Sequence, residues 1–216
     1  MAPISGPSHK PTQPTHKPQP ARLIVGLSGA SGVVFGVRLL ELLRDTVIET
    51  HLVMSRAAEV TLAYETDRKV KDVKALADHC HDIGDMAAPI SSGSYLTLGM
   101  IVAPCSVKSL AEIASGVTTT LLSRAADVTL KERRRLVLMV RETPLHAGHL
   151  KNMLAVTEMG GVIAPPVPAM YAEPKSLDDV IDQNLARVLD LYGIHLAGAK
   201  RWGEDGKKRP GSRKST

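Results

Sequence analysis

Five short, mostly apolar runs, each set off by segments with helical spacing, are what most limits how this chain can fold. The runs are Leu23-Ile24-Val25, His51–Met54, Gly99–Ala103 (ending at Pro104), Leu136–Val140 and a stretch near Gly161–Ala164. Between and after them, helices are expected over Gly32–Arg44, Ala57–Thr66, Ser106–Ala114, Leu121–Arg134, Leu145–Glu158 and Leu177–Leu191. A strand that alternates apolar with polar residues has one wet face, whereas a continuous apolar strand is buried on both. Such strands alternating with helices predict an α/β domain with a doubly wound, mostly parallel sheet, of flavodoxin-like or Rossmann-like type. Sheets of this kind bind ligands beyond the carboxyl ends of their strands, so those ends are where function is sought.

The chain of 216 residues suits one such domain, expected over residues 22–204. Met1–Gln19 holds five prolines and no periodicity, so residues 1–21 read as a disordered extension. Residues 205–216 read as a disordered basic tail. The formal charge is +5, but residues 1–22 carry +3 and residues 204–216 another +3, leaving −1 for the body. A near-neutral body with basic ends argues for solvated tails rather than a nucleic-acid partner. No apolar run reaches the roughly 18 to 20 residues needed to span a bilayer, and no secretory h-region is present. Two cysteines make no disulfide framework, so a reducing cytoplasm is the expected compartment.

The first strand runs into Gly26-Leu27-Ser28-Gly29-Ala30-Ser31-Gly32, directly before a helix. Glycines permit a tight turn, free amides at a helix N-terminus favour an anion, and Ser28 and Ser31 add hydroxyls. The glycine spacing is neither a Walker loop nor a dinucleotide fingerprint. The second strand delivers Ser55, with Glu65 one helical stretch later. The third delivers Cys105-Ser106-Val107-Lys108-Ser109, where Ser106 suits a helix cap. The fourth delivers Arg141-Glu142, a guanidinium fork for phosphate beside a carboxylate able to orient it or move a proton. On the Leu121–Arg134 helix, Arg124, Asp127 and Lys131 share a face, either as an ion-pair stripe or as a second phosphate site. Neither Cys105 nor Ser106 sits in a nucleophile elbow. His79-Cys80-His81 suggests a metal, but neighbours on a strand face opposite ways and no second ligand pair follows at zinc spacing, so none is expected.

These strand-end residues together resemble the UbiX/phenolic-acid-decarboxylase family of flavin prenyltransferases, from about Arg22 to Glu204. The resemblance is carried by GLSGASG at 26–32, SRAAEVTLAYETD at 55–67, Ser92–Ser94, Pro104–Leu110, RAADVTLKERR at 124–134, RETPL at 141–145, HLKNML at 149–154, Pro168–Pro174 and RWGE at 201–204. It implies a flavoprotein fold in which FMN contacts Gly29, Ala30, Ser31, Ser55, Ser106, Val107, Lys108, Ser109 and Arg141. It implies that Arg124, Lys131, Tyr171 and Arg187 hold the phosphate of dimethylallyl phosphate. Glu65, Lys131 and Glu142 are the implied catalytic groups. Reduced FMN is then a substrate, the product is prenylated FMN for a UbiD-type decarboxylase, no metal takes part, and the assembly is a homododecamer. Some positions depart from the ubiquinone-pathway branch: Asp85-Met86-Ala87-Ala88-Pro89 lacks a Trp, Val107-Lys108 follows the phenolic-acid branch, Lys151 replaces Glu, and Met170 replaces Phe. They bear on donor preference and pathway. Two other readings share the fold: an FMN-dependent decarboxylase of the cysteine-decarboxylase type, and a non-catalytic flavin carrier. Pro168-Ala169-Met170-Tyr171 lacks the Asn of the former, and the retained Lys131, Glu142, Tyr171 and Arg187 speak against the latter.

Overall fold

The computed structural model describes residues 20–203; the expectations for most of the N-terminal extension, for Glu204 and for the basic tail lie outside them. Six strands form one sheet: β1 (Ala21–Leu27), β2 (Ile48–Met54), β3 (His79–His81), β4 (Gly99–Cys105), β5 (Arg135–Val140) and β6 (Val162–Ile163). Every pairing is parallel and the order is β3-β2-β1-β4-β5-β6. This is the Rossmann order, with its switch point between β1 and β4. Ser28, which begins the turn after β1, therefore comes to lie beside the end of β4.

The helices are α1 (Val34–Arg44), α2 (Arg56–Glu65), α3 (Val70–Lys74), α4 (Val107–Ser115), α5 (Leu121–Lys131), α6 (Ala147–Glu158) and α7 (Leu177–Asp190). Because successive side chains on a strand face opposite ways, the sheet feeds two cores. Val25, Leu27, Ile101, Ala103, Val137 and Met139 pack under α1, α2, α3 and α7. Ile24, Val53, Met100, Val102, Leu136 and Leu138 pack under α4, α5 and α6. The central strands are buried on both faces, which is why their sequences read as unbroken apolar runs.

The differences from the expected elements have local causes. Helix α1 begins at Val34 rather than Gly32, because Gly32 takes a positive φ of 90°. Strand β4 continues through Pro104 to Cys105, with its register against β5 shifting between Val102 and Cys105; an irregularity is where a strand tolerates proline. Helix α5 ends at Lys131, and Arg133 turns left-handed at φ 57°. Strand β3 and helix α3 had no apolar run to announce them.

Candidate active site

The carboxyl ends of β1, β2, β4 and β5 are tied to one another by short polar contacts. The Ser28 hydroxyl, 1 % exposed, donates to the Pro104 carbonyl at 3.0 Å and accepts the Ser106 amide at 2.7 Å. The Ser28 amide also donates to Pro104. The Ser55 amide donates to the Leu27 carbonyl at 2.9 Å, and the Arg141 amide to the Cys105 carbonyl at 3.0 Å. The strand-end residues expected to meet a flavin therefore lie along one edge of one chain. Ser28 itself is not the ligand hydroxyl that its place in the turn suggested, because its bonds are spent inside the fold.

Helices α2 and α4, which start at this edge, each have their own cap. Ser55 accepts the Ala58 amide at 3.1 Å, and Ser106 accepts the Ser109 amide at 3.3 Å. Ser106 and Ser109 are buried, while Ser31 and Lys108 are exposed. Gly29 admits α2: a β-carbon there would stand 2.3 Å from the Ala57 β-carbon. The amides before α1 are already occupied, since the Glu65 carboxylate accepts Gly32 at 2.8 Å and Val33 at 3.0 Å. A negative charge at a helix N-terminus is stabilising, so Glu65 holds the glycine turn in place. Any acid–base role for it coexists with that bond. Arg141 is exposed and makes no ion pair among the described residues, and Glu142 is half-buried beside it. Burial pushes the Cys105 thiol up to about 12, so it is no nucleophile at neutral pH.

The expected phosphate cations lie elsewhere. Lys131 closes α5 four residues before β5 starts, beside the amino ends of the strands. Six residues of β5 at about 3.3 Å each put roughly 20 Å between the two ends of that strand. Lys131 pairs with Glu132, and Arg124 pairs with Asp127 at 2.8 Å while donating to the Ser91 carbonyl. Tyr171 and Arg187 belong to the other face of the sheet. Tyr171 accepts a 3.4 Å bond from Gln183 of α7 and meets the Trp202 ring edge-on. Arg187 pairs with Asp190, also near the amino ends of the strands, where Tyr192 bonds the carbonyls of Met100 and Arg135. A single chain thus does not bring the four phosphate residues together, nor set them against the glycine turn. The cavity of about 740 Å³ between α1, α7 and residues 195–200 includes none of the expected site residues.

One side-chain cluster escapes a reading of the sequence. His79 and His81 are two apart on β3 and so share a face, and β2 places His51 between them, stacked at 4.7 and 5.2 Å. The polar partners of these histidines do not follow them in the chain but precede them, as Glu49 and His51. The signal was there: Glu49 and His51 fall at strand spacing, on one face of a strand whose remaining residues, Thr50 aside, are apolar.

Comparison with known proteins settles the family. The Flavoprotein family model matches residues 11–189. The flavin prenyltransferase UbiX of Escherichia coli K12 is 62 % identical over 176 residues, covering 81 % of this chain and 93 % of that protein. The chain belongs to the UbiX flavin prenyltransferase family. The mitochondrial flavin prenyltransferase PAD1 of Saccharomyces cerevisiae is 50 % identical, covering 87 % of this chain and 78 % of that one. The structure of a UbiX protein, AnUbiX (PadA1), in complex with FMN and dimethylallyl pyrophosphate superposes with TM-score 0.84 at 54 % identity, covering 85 % and 98 % of the two chains. A dodecameric FMN-dependent UbiX-like decarboxylase from Escherichia coli O157:H7 superposes at 0.82 and 52 % identity, covering 84 % and 98 %. The UbiX fold is therefore the fold of this chain. The cysteine decarboxylase SpaF, at 18 % identity and TM-score 0.55, shares its fold alone.

Proposed function

We propose that this protein joins the dimethylallyl group of dimethylallyl phosphate to N5 and C6 of reduced FMN, in sites completed between copies of the chain. The observation that carries the reading is the division of labour in the fold. The flavin-side groups share one edge of one chain, whereas the two pairs of phosphate groups sit on opposite faces. Membership of the UbiX family and the dodecameric relative support a homododecamer as the assembly that reunites them. The exposed Leu150 and Leu154 on one side of α6 suit burial against a neighbouring copy.

The donor set at the strand ends fits FMN. Ser31, Ser55, the α4 N-terminus with Lys108, and Arg141 supply hydrogen-bond donors and charge for a phosphate and a ring edge. With three per cent aromatic residues, the ring is held by aliphatic and backbone groups. Bound there, reduced flavin supplies the nucleophilic nitrogen and ring carbon that accept the allyl group. Loss of the allylic phosphate leaves negative charge on that phosphate. Arg124 and Lys131 from one copy, with Tyr171 and Arg187 from another, stabilise it by fixed donors that need no reorganisation. Glu142, next to the flavin phosphate's Arg141, orients charge or takes a proton during ring closure. Walls that exclude water keep the allyl cation from hydrolysis. No step calls for a metal. The product would serve a UbiD-type decarboxylase. Among the described residues no helix is long and apolar enough to cross a membrane, and the free Cys80 and Cys105 support a reducing cytoplasm.

Anaerobic incubation of the purified chain with reduced FMN and dimethylallyl phosphate tests this. A flavin heavier by one C5 unit is expected; unchanged FMN in the presence of competent reductant would reject the proposal.

A further inference from the structure

At the free edge of the sheet, β2 and β3 present Glu49, His51 and His79 to a common point. The three ligand atoms all lie within 4.8 Å of one another. Glu49 Oε1 is 3.0 Å from His51 Nε2 and 3.5 Å from His79 Nε2. A tetrahedral zinc ion with bonds of about 2.0–2.1 Å holds its ligand atoms about 3.3–3.4 Å apart. The two observed separations straddle that value and the third lies within 4.8 Å, so the three ligand atoms are close enough to close around one ion.

We propose that Glu49, His51 and His79 form a binding site for one divalent transition-metal ion of the zinc class. Two imidazoles and a carboxylate are the donor set that zinc, nickel and copper prefer over magnesium or calcium. The site stands apart from the flavin edge: Glu49 is the second and His51 the central residue of β2, whereas Ser55 follows its carboxyl end. It therefore does not depend on the proposed transferase reaction.

The surroundings resemble the support that metal ligands receive elsewhere. His51 is 2 % exposed, and its Nδ1 lies 2.9 Å from His81 Nε2. A ligand imidazole whose second nitrogen is hydrogen-bonded is held in one orientation. Without metal, Glu49 can only accept, so the neutral His51 donates from Nε2 and receives the His81 Nε2 proton at Nδ1. With metal, the Nε2 lone pair goes to the ion, the His51 proton moves to Nδ1 and is donated to His81 Nε2, and the His81 proton moves to its Nδ1. The ring charges are unchanged, so the switch of tautomers releases no net proton. The Tyr95 hydroxyl, 3.2 Å from His51 Nε2 and 3.4 Å from Glu49 Oε1, is placed to bond a water completing the coordination. Exposed His79 leaves the site open to solvent. Arg22 opposes binding, since its Nε is 3.0 Å from Glu49 Oε1.

Calorimetric titration of the full chain, freed of metal by chelator, with zinc chloride tests the site; cobalt(II) absorption reports inner-sphere coordination. One saturable ion per chain is expected, weakened at least about tenfold in His79→Ala and again in Glu49→Gln. His79 is exposed on an edge strand and Glu49→Gln is isosteric, so both variants should keep the wild-type circular dichroism. His146→Ala, which removes the other close imidazole pair (His146 and His149, ring centroids 3.6 Å apart), should bind as wild type does. No saturable binding, or equal affinity in all four proteins, would overturn the proposal.

Discussion

Ser28 and Ser106 are joined by a 2.7 Å hydrogen bond from the Ser106 amide to the Ser28 hydroxyl, buried where the β1 turn meets the end of β4. Through it the glycine turn and the α4 cap move as one piece, and the Rossmann switch point lies between them. Ser28→Ala would leave that amide without its partner inside the fold. The expected loss is about 1–3 kcal/mol, or a melting temperature lower by about 2–4 °C for each kcal/mol in a chain of this size. Weaker FMN binding should accompany it, as Ser106–Ser109 loosen. Thermal unfolding with and without FMN checks both; wild-type values would show that the bond holds nothing together.

Gly29 is predicted to be a packing requirement. Gly29→Ala places a methyl group 2.3 Å from the Ala57 β-carbon and forces α2 away from the turn. Overpacking of this kind costs about 1–3 kcal/mol. Adding Ala57→Gly in the same chain removes the nearest clash and should restore part of both stability and flavin affinity. Strictly additive losses in the double variant would mean that the two positions do not meet.

Acid should destabilise the chain through its histidine cluster. Burial, the largest influence, lowers His51, overriding the Glu49 hydrogen bond that raises it, and burial likewise lowers His81. The unfolded chain then takes up protons first. Stability should be full above the ordinary histidine value of about 6.5 and fall as pH drops below it. The groups facing His51 are Glu49, His79, His81 and Tyr95, with Arg22 beyond Glu49. Melting temperatures measured from pH 8 to pH 5 in chelator should decline in the wild type and flatten in His51→Gln. An equal decline in both would place the acid sensitivity elsewhere.

Much of this was legible from the residues, because strands buried on both faces must be continuously apolar. Leu136–Val140 is the plainest case, and it is β5 but for Arg135. Strand β3 was not legible, since its three residues, His79, Cys80 and His81, form no apolar run and it lies at the sheet's edge. The positions of Ser55, Ser106 and Arg141 at strand ends follow from where each apolar run stops. The partner of the Ser28 hydroxyl did not follow, because it comes from a strand 76 residues away. Spacing put Arg124 and Lys131 on one helix face, but it is silent on which end of the sheet that face reaches. That end is fixed by α5 descending to the start of β5, and it sends Lys131 away from the flavin edge.

The account rests on Lys131 of one copy serving the flavin edge of another. Lys131→Ala and Glu142→Gln should each bind FMN and give almost no prenylated product. Glu142 is at the flavin edge and Lys131 is roughly one strand length away. Dissociating the two variants, mixing them in equal amounts and reassembling them creates some sites with both residues intact. Random mixing in a closed symmetric assembly would return about a quarter of wild-type activity. Co-assembled particles that stay inactive, while wild-type chains survive the same treatment, would show that each chain supplies its own Lys131 and would contradict the shared site.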